Sequence, residues 1–138
     1  MRYLAVDFGF KRTGLAICDA QEIIASPLAV LEGSSRLPQR VAEFAAENAA
    51  EAIIIGLPYN MDGTVGGQAK AVKKFAAELE KVVDLPIHFQ DERLSSFGAE
   101  EKIAAADFTR KKKKKRLDAL AAAEILQQFL DSKHEEIP

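Results

Sequence analysis

An α/β fold is predicted, with a five-stranded mixed sheet in which an antiparallel meander precedes parallel strands, and with helices on both faces. Three observations predict it: apolar runs of strand length fill the first 31 residues, a helical period sets in near Ser35, and β-prone runs then alternate with helical stretches.

Tyr3 to Val6 is a short continuous apolar run, the pattern of a strand covered on both faces, and it ends at Asp7-Phe8-Gly9. Gly9 and Gly14 bracket a turn. Leu15 to Cys18 and Ile23 to Leu31 follow as strands, with Asp19 to Glu22 as the hairpin connection and Pro27 marking an edge or bulge. Leu37, Val41 and Phe44 then recur at helical spacing, which predicts a helix over Arg36 to Ala50 capped by Ser34 or Ser35. Ala52 to Ile55 is the most β-prone run and stops at Gly56-Leu57-Pro58. After a loop over Tyr59 to Gly67, the repeat Val72, Phe75, Leu79, Val82 predicts a second helix. Leu85 to Phe89 reads as a strand entering Asp91-Glu92-Arg93, and Ser95-Ser96 caps a helix to about Ala106. A final helix over about Leu117 to Asp131 presents Ala119, Ala122, Ala123, Leu126, Phe129 and Leu130 on one face, with Asp118 in its first turn.

The 138 residues suit one domain over 1–138, and no apolar stretch approaches the length of a membrane span. A lone cysteine, Cys18, excludes an internal disulfide and reads as a small core residue. With no secretory signal, the expectation is a cytoplasmic protein that makes no membrane contact. The net charge of −2 conceals an asymmetry, because seven of the 19 basic residues form the unbroken run Arg110-Lys111-Lys112-Lys113-Lys114-Lys115-Arg116. The run reads as a phosphate attractor or, alternatively, as a solvated linker.

Asp7 is a carboxylate at the C-terminal end of a buried strand, where folds of this class place ligand sites; Glu92 or Asp91 follows a strand directed the same way. Asp118 joins them if the alanine-rich helix docks at that edge; the competing role for it is to complement the helix dipole. Converging carboxylates repel one another unless they share a hard cation, and Mg²⁺ or Mn²⁺ held by Asp7, Asp118 and one of Glu92 or Asp91 can activate water for phosphodiester hydrolysis. Lys11, Arg12 and Arg93 supply charge for phosphate, and Asn60 with Thr64 supplies hydrogen bonds, although each is also ordinary surface or turn chemistry. His88 and His134 have no ligand partner in sequence.

Four linked stretches, Asp7 to Ala16, Gly56-Leu57-Pro58 with Asp62-Gly63, Asp91 to Ser96, and the basic run with Leu117 to Ala122, together resemble the YqgF (RuvX) family over essentially the whole chain. The resemblance implies an RNase H-like fold and catalytic acids at Asp7, Glu92 and Asp118, with Asp91 a candidate fourth. It implies either the nuclease that matures the 5′ end of 16S ribosomal RNA or a Holliday junction resolvase. Precursor rRNA, free or in ribosomal assembly particles, is the expected partner ahead of branched DNA, and the expected state is a monomer or weak homodimer. Thr13 stands where the family often has isoleucine and Cys18 where serine is usual. Two competing classes are a non-catalytic RNA-binding module and a sugar-kinase or actin-like ATPase; the latter needs two such domains, and this chain has room for one.

Overall fold

The computed structural model describes residues 1–58, 66–91 and 110–135, with side chains over 118–133 of the last segment. Five strands, β1 (Tyr3–Asp7), β2 (Arg12–Cys18), β3 (Ala25–Glu32), β4 (Ala52–Leu57) and β5 (Ile87–Asp91), form one sheet in the order β3-β2-β1-β4-β5. The first three pair antiparallel, and β1, β4 and β5 run parallel. The helices among the described residues are α1 (Leu37–Glu47), α2 (Gly67–Glu80) and α3 (Arg110–Glu135).

Strand alternation divides the core into two layers. Leu4, Val6, Leu15, Leu31, Ile53, Ile55 and Leu57 point toward α1 and α2, where Leu37, Val41, Val72, Phe75 and Leu79 cover them. Tyr3, Ala5, Ala16, Cys18, Ala52 and Ile54 point the other way and meet Ala122, Ala123, Ile125, Leu126 and Leu130 of α3. Small residues dominate the sheet side of this second layer, and Ala122 and Ala123 face it from α3, so the helix lies close to the sheet. It packs chiefly across β2 and β3 and reaches β1. Gln127 ties it there: its side-chain carbonyl accepts from Ala25 N–H at 2.9 Å, and its amide donates to the Ile23 carbonyl at 2.9 Å.

Several sequence expectations need correction. β2 begins at Arg12, so Gly14 lies inside a strand and not at a turn. β3 begins at Ala25, leaving Ile23 and Ile24 exposed in the connection, where Asp19 Oδ1 accepts both of their N–H groups at 2.8 and 3.1 Å. The Pro27 expectation holds, since β3 is an edge strand and its register with β2 shifts opposite Leu15 and Ala16. No serine side chain caps α1; Arg36 takes the N-cap in a left-handed conformation (φ 53°), with proline in the first turn fixing the entry, and the helix ends at Glu47. α2 stops at Glu80, so Val82 is 41% exposed and not part of its apolar face. β5 is displaced two residues toward the C-terminus: the Pro86 carbonyl accepts from Ile53 N–H at 2.9 Å, while Leu85 packs on the α1/α2 layer. α3 starts at Arg110, seven residues earlier than expected, because Lys and Arg are strong helix formers and extending an already packed helix needs no new nucleus. The expected helix from Ser95 to about Ala106 lies outside the described residues. Among the described residues, no helix is long and apolar enough to cross a membrane.

Candidate active site

The site is built on the C-terminal end of β1. Asp7 continues the series Tyr3, Ala5, so alternation directs it to the α3 face, and it is half-buried. Directly across the antiparallel pair stands Gly14. A Cβ on Gly14 would overlap the backbone carbonyl of Asp118, so the absence of a side chain is what lets α3 press its ninth residue onto the sheet. Asp7 and Asp118 therefore flank one glycine. Asp118 sits more than two turns inside α3, which removes helix-dipole complementation as its role, since that effect fades within the first turn.

Arg12 lies on the same face as Gly14 and donates from Nε to Asp118 Oδ2 at 3.2 Å, with the two side chains 22% and 33% exposed. Expected as a phosphate ligand, Arg12 thus has a contact the sequence did not disclose, to a partner 106 positions away. The hairpin between β1 and β2 is tight: a Cβ on Gly9 would meet the Arg12 carbonyl, and Gly33 N–H donates to the Lys11 carbonyl at 2.9 Å. Thr13 is fully buried, and its hydroxyl accepts from Gly9 N–H at 3.4 Å and lies 3.5 Å from the Gly9 carbonyl. A hydroxyl at this position has local partners that an isoleucine would lack.

Asp91 ends β5 and pairs with Leu57, which points into the α1/α2 layer. In a parallel pair, facing residues share a side, so Asp91 lies on the opposite face of the sheet from Asp7, two strands away. Asn60, Thr64, Glu92 and Arg93 lie outside the described residues. Arg110 to Arg116 form the first turns of α3, directly before Leu117 and Asp118. Lys11 is exposed at the hairpin. Among the described residues, no group of three or more His, Cys, Asp or Glu is placed to hold a metal ion. His88 is exposed on β5 with its ring stacked 6.3 Å from Phe129. Cys18 is buried; burial pushes its thiol above the ordinary value, opposed by the Tyr3 N–H on its sulfur.

Residues 1–132 match the family model described as RuvX: Holliday junction resolvase. The chain belongs to the RuvX family. Relatives named "Putative pre-16S rRNA nuclease" include one from Maridesulfovibrio salexigens, 43% identical over 94% of this chain and 98% of its own. Another, from Geobacillus kaustophilus, is 40% identical over 96% of this chain and 99% of its own. A third, from Trichormus variabilis, is 41% identical over 93% and 86%. Among solved structures, the fowlpox virus resolvase with its Holliday junction DNA superposes at a TM-score of 0.62 and 12% identity, covering 96% of this chain and 99% of that one. T. thermophilus RuvC in complex with a Holliday junction substrate gives 0.60 at 16% identity, covering 97% and 96%. At these identities the likeness shows the fold alone, which is RNase H-like.

Proposed function

We propose that the chain is a metal-dependent endonuclease acting in the cytoplasm on precursor 16S ribosomal RNA, free or within an assembling ribosomal particle. The observation that carries the reading is the pairing of Asp7 and Asp118 around Gly14, with Arg12 beside them and the basic run leading along α3 into Asp118. The relatives' names support the RNA substrate ahead of a four-way DNA junction, which the family description keeps as the second reading.

Two half-buried carboxylates on one face are hard oxygen donors, and Mg²⁺ or Mn²⁺ accepts one or two such groups together with water and phosphate oxygens. The described residues therefore fit the group but supply only two of its three expected acids. Glu92 is proposed as the third on the strength of the stretch Asp91-Glu92-Arg93, which carries the resemblance to the family. A divalent ion, when bound, supplies Lewis-acid stabilisation and an activated water. The chain's own residues do the positioning. Gly14 and Arg12 fix Asp118, β1 fixes Asp7, and Lys11 with the α3 cations draws the phosphate backbone toward these acids by charge.

The test is Asp7→Asn, assayed on precursor 16S 5′ ends and on four-way DNA junctions in Mg²⁺ and in Mn²⁺. Loss of cleavage by more than about 100-fold with unchanged thermal unfolding is expected for a lost metal ligand. Wild-type cleavage by Asp7→Asn refutes the site, and cleavage of junctions but not RNA transfers the substrate assignment to DNA.

A further inference from the structure

We propose that Phe10 is a stacking platform for a nucleobase of the substrate at the β1–β2 hairpin, on the α1/α2 side of the strand end that carries Asp7. The proposal rests on the nucleic-acid reading above and adds to it a requirement for an unpaired nucleotide at the β1–β2 hairpin.

Phe10 is 64% exposed, the most exposed large apolar side chain among the described residues. Its position is nonetheless fixed. The ring meets Phe8 edge-on at 5.8 Å between centroids, and Phe8 lies 5.1 Å from Phe75 in the α2 layer, so a column of three rings is anchored in the core. The backbone beneath it is held by the Gly9 turn, the Gly33 bond to Lys11 and the Thr13 hydroxyl. A rigid ring with most of its surface in water gains little for the fold, and preorganisation of this kind favours a ligand that covers it.

The surroundings identify the ligand. Phe10 stands three residues from Asp7, which limits their Cα separation to about 11 Å. Lys11, exposed, follows directly, and Arg12 comes next. An aromatic face beside a cation matches a nucleotide, whose base stacks while its phosphate is neutralised. An apolar protein partner would call for a wider hydrophobic patch than one ring bordered by charges.

The experiment uses the full chain carrying Asp7→Asn, so that substrate is bound and not cut. Single-stranded RNA oligonucleotides with 2-aminopurine at successive positions are titrated against this protein and against versions that add Phe10→Ala, Phe10→Leu or Phe10→Trp. Ala and Leu are expected to weaken binding about 5- to 100-fold, the range for one lost stacked base, and to abolish the stacking quench of 2-aminopurine fluorescence. Trp should restore both, and fully paired RNA should bind all four proteins alike. Equal affinity and equal quenching across the four proteins overturns the stacking role while leaving the nuclease reading standing. Equal weakening on single-stranded and paired RNA, with a lowered unfolding temperature, reassigns Phe10 to hairpin folding and also overturns it. Failure of Asp7→Asn alone to bind any RNA removes both readings.

Discussion

Gly14 bears the tightest steric demand in the site, because its neighbour is the backbone of Asp118 and not a side chain that could rotate away. Gly14→Ala therefore forces α3 off the sheet. The expected cost is about 1–3 kcal/mol in urea unfolding, the range for overpacking a close contact, together with a marked loss of cleavage because Asp118 moves with the helix. Unchanged stability and unchanged cleavage would mean that the helix is not seated on Gly14. This dependence was only half legible in the sequence. Asp7 stood out because a carboxylate closing a buried apolar strand is an unusual placement. Gly14 looked like a turn residue, since a glycine in Arg-Thr-Gly gives no sign of the helix that approaches it. The Arg12 to Asp118 bond was hidden for a related reason: no local pattern encodes a pair 106 positions apart. The face taken by Asp91 was likewise not readable from its neighbours; the β4–β5 register sets it beside Leu57, on the α1/α2 side.

α3 is the element through which the sheet and the site communicate. Its alanine-rich face was readable from the 3.6-residue period, and the docking on the β1–β2–β3 side followed from the need to cover a second sheet face. Its start was not readable. Seven adjacent cations suggest a solvated segment, yet Lys and Arg are good helix formers and each residue adds propagation without a new nucleus. The β5 boundary was missed because Leu85-Pro86 is as apolar as a strand. Only the tertiary structure shows Leu85 leaving the ladder for the helical layer. Gln127 is the polar fastener of α3, bonded to Ile23 and Ala25 across the β2–β3 connection and within 3.1 Å of Asp131. Gln127→Ala leaves the half-buried Ala25 N–H without that acceptor, and about 1–2 kcal/mol of stability should be lost. Hydrogen exchange at Ala25 should quicken by the corresponding factor, whereas protection equal to wild type would show that another group takes over.

Across the whole molecule, charge is arranged along the β1 axis. Lys11 and Arg12 stand in the hairpin at the end that carries Asp7, and the basic run directly precedes Asp118 along α3, within a chain of net charge −2. The opposite end is closed by an ion cluster: Lys133 Nζ lies 2.6 Å from Glu22 Oε1 and 2.6 Å from the Tyr3 hydroxyl, and the Met1 ammonium lies 3.2 Å from Glu22 Oε2. Lys133 lowers the Glu22 carboxyl below its ordinary value, with the Met1 ammonium adding to the effect, while Glu22 and then Tyr3 raise Lys133. A depressed carboxyl contributes stability above its unfolded value, near about pH 4.3, and loses it as pH falls through the lower folded value. A raised ammonium contributes below its unfolded value, near about pH 10.4, and loses that contribution as pH rises through the higher folded value. The cluster is well hydrated, with Lys133 41% exposed, so its contribution at neutral pH is no more than about 1 kcal/mol after solvent screening. Glu22→Gln should therefore lower the urea midpoint modestly and evenly between about pH 5 and pH 9. The wild-type and variant curves should converge in strong acid, once Glu22 is protonated in both the folded and unfolded states. A gap between the two curves that stays constant down through the acid limb would show that Glu22 stabilises the closure by packing and not by its charge.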